Sequence, residues 1–228
     1  MLLFLKCCIS GVFGDEVKSV SVMEGDSVTL HTDITDRQRD DHILWTFEHT
    51  TRLAEIIKRD QKNFMFVKND GIFRDHLQTN SQTGSLTITN IRTEHTGRYK
   101  LHISRHYIAY NCFTVIVYAH LPVPVIKRNS SDCSSSSSSS SSNCVLLCTV
   151  LVLNMRDVSL SWYKGNSLLS SISVSDLNIR LSLPLEVEYQ DTNTYSCVLN
   201  NPITNQTQHL NITHLCQMCS GQQLCKRH

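Results

Sequence analysis

Four residues in the second half of the chain constrain the fold more than any other feature. Cys148, Trp162 and Cys197 follow one another in that order, and Tyr195 stands two residues before the second cysteine. In a sandwich of two antiparallel sheets, a disulfide can join the sheets, a tryptophan can pack against it and a tyrosine can close one corner. The four residues therefore predict that this segment folds as a sandwich.

The arrangement is typical of the immunoglobulin fold. The segment also consists of short alternating stretches separated by turn residues, which indicates an all-β structure. Because only 49 residues separate Cys148 from Cys197, the additional strands of a variable-type domain have no room. Residues 122–216 are therefore predicted to form a constant-like domain.

The first half of the chain repeats the pattern without the cysteines. Trp45 and Tyr99 keep the positions of the buried tryptophan and the corner tyrosine. Thr32 and Leu101 stand where the two cysteines would be, and both can pack around the tryptophan as part of an ordinary core. The longer segment after Trp45 predicts extra strands, so residues 15–121 are predicted to be a variable-type domain. The predicted fold class is all-β, with two tandem immunoglobulin-like sandwiches, the first lacking the inter-sheet disulfide.

One position departs from the usual variable-type pattern. His95 stands where such domains commonly carry an aspartate that forms a buried ion pair with an arginine, here Arg74. A histidine does not supply the negative charge. Glu94 is therefore the alternative partner for Arg74.

The remaining cysteines leave more than one pairing open. A second bridge would clamp the constant-like domain, either from Cys144 to Cys216 or from Cys133 to Cys216. Cys216 and Cys219 also have the spacing of half a zinc site, but such a site needs a partner knuckle or histidine pair. An oxidising compartment favours disulfides, so neither a metal nor a cofactor is predicted. Cys112 is interpreted as a buried small apolar residue, with an intermolecular bridge as the alternative.

The ends of the chain predict an extracellular protein. Residues 1–14 have the features of a cleaved secretory signal, because an apolar run precedes small residues before Asp15. Residues 217–228 form a polar tail with neither a spanning segment nor the apolar tail of a lipid anchor. We expect a protein that is secreted as written, or the ectodomain of a cell-surface protein whose anchor is missing from this sequence.

Three Asn-X-Ser/Thr sequons agree with an extracellular location. Their acceptor residues are Asn129, Asn205 and Asn211. Residues 134–142 are an unbroken serine run. Because this run has no apolar side chain to bury, it is predicted to be an exposed loop of the second domain.

Charge and motifs exclude several classes of function. The formal net charge is +1, so neither nucleic acid nor membrane insertion is expected for this form. Eleven histidines are scattered along the chain, without a nucleophile elbow, a phosphate loop or a metal-binding histidine pair. We therefore expect no enzymatic activity.

The combination of features resembles the ectodomains of the signalling lymphocytic activation molecule (SLAM) family and its T-cell adhesion relatives. The resemblance rests on a cysteine-free variable-type domain that carries Trp45 and Gly97-Arg98-Tyr99, followed by a proline-bearing linker and a domain with two bridges. Residues 17–28, 121–126 and 161–197 look like fish members of that group.

The resemblance implies a leukocyte adhesion or recognition receptor that binds itself or a related immunoglobulin-superfamily receptor. In the family, binding uses the sheet formed by the G, F, C and C′ strands of the first domain. If Trp45, Tyr99 and Leu101 point inward, alternation directs their neighbours outward. The residues that carry over to this face are Thr46, Glu48, Lys58, Arg98, Lys100, His102 and Arg105. The alternatives are a structural spacer without its own ligand and, less favoured, an enzyme.

Overall fold

The computed structural model describes residues 17–32, 42–48, 50–59, 62–104, 108–129, 143–188 and 191–216. Five features predicted above lie outside the described residues, namely the signal segment 1–14, Arg105, Cys133, the serine run 134–142 and the polar tail 217–228. The chain divides into two compact units between His120 and Leu121.

The described part of the first unit contains nine strands in two sheets. They are β1 (Val17–Met23), β2 (Val28–Leu30), β3 (His42–Phe47), β4 (Thr51–Arg59), β5 (Lys62–Val67), β6 (Leu77–Thr79), β7 (Leu86–Ile88), β8 (Gly97–Ser104) and β9 (Ile108–Tyr118). The larger sheet has the order β1-β9-β8-β3-β4-β5, and the smaller has the order β2-β7-β6. Strand β1 pairs with β9 in parallel, and β4 and β5 are the extra strands that the variable type predicts.

Alternation along β3 and β8 builds the core of the first unit. Trp45 lies opposite Leu101 across these two strands, and both are fully buried. The indole Nε1 of Trp45 donates to the Gly84 carbonyl at 2.8 Å. Thr32 is also buried, and its hydroxyl donates to the Thr83 carbonyl at 2.7 Å. The two positions that lack cysteine are thus filled by an apolar side chain and by a polar one whose hydrogen bond is satisfied.

His95 is held in the core by polar and aromatic contacts rather than by an ion pair. Its Nδ1 accepts from the Arg92 backbone N–H at 2.9 Å, and its Nε2 donates to the Ile72 carbonyl at 2.6 Å. The ring stacks on Phe73 with a centroid distance of 5.0 Å. Burial lowers the pKa of His95 below 6.5, so the ring is neutral near pH 7 with its proton on Nε2.

The ion pair expected between Arg74 and Glu94 is not present between these two described residues. Glu94 lies 3.9 Å from the guanidinium of Arg92 instead, and both side chains are about half exposed. The corner tyrosine is in place, because the Tyr99 hydroxyl donates to the His95 carbonyl at 2.7 Å. Burial raises the pKa of the Tyr99 phenol, which keeps this donor protonated.

The described part of the second unit contains five strands and one short helix. They are β10 (Val125–Arg128), β11 (Asn143–Lys164), β12 (Ser167–Glu188), β13 (Tyr195–Asn200), β14 (Asn205–Leu210) and α1 (Ile212–Leu215). The strand order is β10-β11-β13-β14, with β12 paired along β11.

Strands β11 and β12 form one long antiparallel ribbon that contributes to both layers of the second sandwich. Its register shifts between Val152 and Met155, and Asn154 and Asp157 adopt positive φ angles of 53° and 51°. Such irregularities bend a strand. The first half of β11 therefore pairs with β10, while its second half pairs with β13 in the other layer.

Two disulfides close the second sandwich. Cys148–Cys197 joins the two layers. Trp162 is fully buried beside it, and its Nε1 donates to the Leu183 carbonyl at 3.0 Å. The second bridge joins Cys144 to Cys216, so the structure contains the first of the two pairings that the sequence left open for Cys216. The fold is all-β, with an unbridged variable-type domain and a bridged constant-like one, as the sequence predicts.

Candidate binding face

The candidate binding face is the outer side of the six-stranded sheet in the first domain. Side chains that alternate with the buried residues of β3 and β8 point to this side. Thr46 lies opposite Lys100, and Leu44 lies opposite His102. On the neighbouring strand, Glu55 lies opposite Leu44.

Lys100 and His102 pack against one aromatic ring instead of standing free in solvent. His102 stacks on Tyr110, with centroids 5.0 Å apart and planes inclined by 15°. The Lys100 ammonium lies 4.6 Å from the centroid of the same ring. Lys100 is consequently only 8% exposed. It lies on the predicted side of the sheet, but its charge is largely covered by Tyr110.

His102 titrates in a partly buried, cationic environment. Burial lowers the pKa of His102, and the neighbouring His42 and Lys100 lower it further. The ring is therefore neutral near pH 7. This part of the face is accordingly aromatic and polar at neutral pH, without a charge on His102.

The most accessible part of the face is aromatic and cationic. Phe64 and Phe66 on β5 lie opposite Ile57 and Glu55, and they are 59% and 39% exposed. The Arg52 guanidinium lies 4.1 Å from the centroid of the Phe66 ring. We call Arg52, Phe64 and Phe66 the aromatic strip.

Glu55 anchors the aromatic strip to the centre of the face. One carboxylate oxygen accepts from Arg52 at 2.7 Å, and the other lies 2.8 Å from Nε2 of His42. The Glu55 side chain is only 19% exposed, whereas that of Arg52 is 52% exposed. The carboxylate therefore fixes the arginine over Phe66 while remaining largely covered itself.

Glu48 and Arg98 have a structural role at one end of the face. The Glu48 carboxylate accepts from the Arg98 backbone N–H at 2.9 Å and lies 3.5 Å from the Arg98 guanidinium. Gly97 makes this contact possible, because a Cβ at that position would meet both Glu48 and the Phe47 ring at 2.5 Å. Glu48 and Arg98 remain about half exposed, so both are accessible to a partner.

The other predicted face residues differ in placement. Thr46 is half-buried at the centre of the sheet. Lys58 follows Ala54 and Ile56 at two-residue spacing, so alternation places it on the opposite side of β4 from Glu55. This placement differs from the sequence-based expectation, which assigned Lys58 to the face without knowing the register of β4.

Sequence reasoning missed all three residues of the aromatic strip. The alternation of Phe64 and Phe66 is visible in the sequence, and it places both rings on the same side of their strand. Only the pairing of Phe66 with Glu55 shows that this side is continuous with the outer face of β3 and β8.

Cys112 is buried, with 1% exposure, but not between the two sheets. It lies opposite Lys100 on β9, and Lys100 points to the outer face. The core side of β9 is occupied instead by Phe113, Val115 and Val117. Burial at this position thus results from coverage by outer-face side chains.

The predicted glycosylation sites lie at the surface of the second unit. Asn129, Asn205 and Asn211 are all exposed. In the described ranges no group of His, Cys, Asp or Glu side chains is arranged to hold a metal ion. None of the helices described here has the length and apolar character needed to cross a bilayer.

Comparison with known proteins agrees with this architecture. Residues 16–117 match the family model of the immunoglobulin V-set domain. The structure of the CD2-binding domain of CD58 (lymphocyte function-associated antigen 3) is similar at 18% identity and a TM-score of 0.56, covering 85% of this chain and 96% of that one. The first half of the chain is thus a V-set-type immunoglobulin domain.

Two mouse ectodomains show the same tandem arrangement. Nectin-like molecule 4 is similar at 13% identity and a TM-score of 0.57, covering 85% of this chain and 65% of that one. The extracellular portion of CD200RLa is similar at 13% identity and a TM-score of 0.53, covering 85% and 98%. At such identities the likeness shows the fold. A sequence comparison with curated proteins gave no match.

Proposed function

We propose that this chain is the ectodomain of an extracellular adhesion or recognition receptor of the SLAM type. In this proposal the first domain binds a related immunoglobulin-superfamily receptor on leukocytes, or a second copy of itself, through the outer face of its larger sheet. The tandem fold is compatible with this role, but a fold alone does not assign a partner. The argument therefore rests on the face.

The aromatic strip is the observation that carries the proposal. Its two phenylalanines are unusually exposed for apolar side chains of their size. Exposed apolar groups that lie together on one surface mark interaction sites more often than chance placement. Aromatic residues and arginine are also the residue types that dominate binding energy at interfaces. The strip combines both on one side of two adjacent strands.

The charges around the strip suit a selective but weak contact. Arg98 and Glu48 are about half exposed and paired with each other, as are Arg52 and the more covered Glu55. Charges at the rim of an interface govern the rate of encounter and the choice of partner more than the affinity. We therefore expect binding that weakens as the salt concentration rises.

The proposal is tested by binding of the secreted chain to leukocyte immunoglobulin-superfamily ectodomains and to itself. Surface plasmon resonance measures the first, and sedimentation at high concentration measures the second. We expect Phe66→Ser and Arg52→Glu each to weaken binding by about 30-fold, because each removes an interfacial anchor worth about 2 kcal/mol. The matched control is Gln78→Glu, which changes an exposed residue of β6 on the smaller sheet.

The outcomes separate the face from the alternatives. Binding that survives both strip substitutions would show that another surface is used. If no ectodomain binds and the chain does not self-associate, the spacer function is favoured. The proposed secretory signal has its own test, because secreted material that retains Met1 would contradict cleavage before Asp15.

A further inference from the structure

A polar groove lies on the outer face of the β11, β13 and β14 layer in the second domain. Its volume is about 520 Å³, within the ~300–1,000 Å³ range of ligand sites. Hydroxyl, phenol and carboxamide groups line most of it, including those of Ser159, Ser161, Tyr163, Asn200, Asn205 and Thr207. No lysine, arginine, aspartate or glutamate is among its lining residues.

Asn205 lies at one side of this groove, on the edge strand β14. Across the ladder it lies opposite Asn200, which in turn lies opposite Ser159. Residues opposite one another share a face of the sheet. The Asn205 side chain therefore starts a row of polar groups that runs inward over three strands.

We propose that this groove holds the first sugars of an N-linked glycan attached to Asn205. The inference rests on the proposed passage of the chain through the secretory pathway. It identifies an internal ligand for a face that is distinct from the candidate binding face of the first domain.

The attachment uses a polyprenyl-diphosphate oligosaccharide as the sugar donor. Nδ2 of Asn205 forms a bond to the anomeric carbon of the first N-acetylglucosamine and loses one proton. The bond from that carbon to the diphosphate breaks, and the polyprenyl diphosphate leaves with the bonding electrons. Thr207 completes the Asn-X-Thr acceptor sequence, and it lines the same groove.

The chemistry of the groove matches a neutral, hydroxyl-rich ligand. Hydroxyl and carboxamide groups both donate and accept hydrogen bonds, as sugar hydroxyl and acetamido groups do. The negative face of the Tyr163 ring can attract the C–H groups of a pyranose. A charged ligand would require an opposite charge among the lining groups.

The sequon at Asn211 has a different setting. The Oδ1 atom of Asn211 already accepts from the Thr213 hydroxyl at 2.8 Å and from the His214 backbone N–H at 3.2 Å. The groove beside it includes the ionisable residues Asp191 and His209. Asn205 is therefore the sequon whose surroundings fit a glycan that lies against the protein.

The first test is site occupancy in full-length chain secreted from a eukaryotic cell line, measured by mass spectrometry of glycopeptides. We expect a glycan on Asn205. Glycans on Asn129 or Asn211 with a bare Asn205 would overturn the inference. If none of the three sites is occupied, it is the proposed passage through the secretory pathway that fails.

The second test is a double-mutant cycle with Tyr163→Ala and Asn205→Gln. We expect Tyr163→Ala to lower the Tm of the second domain by about 4 °C more in the glycosylated parent than in the Asn205→Gln background. Any purely structural role of Tyr163 is the same in both backgrounds and cancels. Equal losses in the two backgrounds would overturn the inference.

Hydrogen exchange supplies a readout that does not depend on the Tyr163 substitution. We expect amides of β13 and β14 to exchange faster in Asn205→Gln than in the parent, because the groove is then open to water. Asn129→Gln is the matched control and is expected to leave these amides unchanged. Unchanged exchange in Asn205→Gln would contradict a glycan that rests in the groove.

Discussion

The two domains place a tryptophan at the same point of their cores but surround it differently. Trp45 and Trp162 are both fully buried. Each donates its indole N–H to a backbone carbonyl, that of Gly84 in the first domain and that of Leu183 in the second. Beside Trp162 the two layers are joined by a disulfide. Beside Trp45 they are held by packing and hydrogen bonds.

The comparison shows where the first domain obtains the stability that the second gains from sulfur. Aromatic rings cluster at its tyrosine corner, with Phe47 5.0 Å from Tyr99 and 5.1 Å from Phe73. His95 adds a stacked contact to Phe73 and two hydrogen bonds. An inter-sheet disulfide is therefore dispensable when the corner supplies enough buried contacts.

Removing the inter-sheet disulfide should have the largest effect on this comparison. We expect Cys148→Ala with Cys197→Ala to reduce the stability of the second domain by about 3–4 kcal/mol, because the unfolded chain is no longer constrained. The first domain should be unaffected. Hydrogen exchange in increasing urea resolves the two domains, with β13 and β8 as reporters. A loss of stability in β8 would show that the domains do not unfold independently.

His95→Ala should have the next largest effect, and it should fall on the other domain. The substitution removes two hydrogen bonds and the ring stacked on Phe73, so we expect a loss of about 2–3 kcal/mol in the first domain. The same exchange experiment measures it. His95→Asn is the informative control, since it can keep one hydrogen bond but loses the stack. Parent-like stability of His95→Ala would refute the role assigned to the corner cluster.

The two corner tyrosines should differ when their hydroxyls are removed. The Tyr99 hydroxyl donates to the buried His95 carbonyl, so Tyr99→Phe leaves that acceptor unsatisfied and should cost about 1–2 kcal/mol. The Tyr195 hydroxyl donates to the Asp191 carboxylate at 2.8 Å, which water can partly replace. Tyr195→Phe should cost less, and urea midpoints of the two variants make the comparison. The reverse order would contradict this account of the corners.

The smallest effect we expect is a difference in pH dependence. The pKa values of His95 and His102 are lowered by burial from 6.5, so the unfolded chain binds protons first as the pH falls. The first domain should lose stability below about pH 6.5. In the second domain, hydrogen bonds from the Asn193 backbone and Tyr195 lower the pKa of Asp191 to about 2. Its contribution should persist until the pH falls below about 4.

Urea unfolding at several pH values, followed by hydrogen exchange, tests this difference. His95→Asn should flatten the dependence of the first domain between pH 7 and pH 5, because it removes one of the two histidines. Identical pH profiles for the parent and this variant would exclude His95 as a source of the dependence.

The sequence predicted the fold through residues whose chemistry is local. The order of Cys148, Trp162 and Cys197 indicated a bridged sandwich, and alternation around Trp45 indicated an unbridged one. The candidate face was harder to predict because its membership depends on strand register. The one-residue offset that places Lys58 on the opposite side of β4 is set by pairing across the sheet.

The sequence by itself determined that the chain forms two β sandwiches, because the spacing of buried aromatic and sulfur residues reflects contacts within each strand and its neighbours. Only the tertiary structure decided that Cys144 pairs with Cys216, that Tyr110 covers Lys100, and that Phe66 joins Arg52 on one face. Each of these contacts joins residues that are brought together by strand pairing or by the packing of layers, which spacing along the chain does not encode.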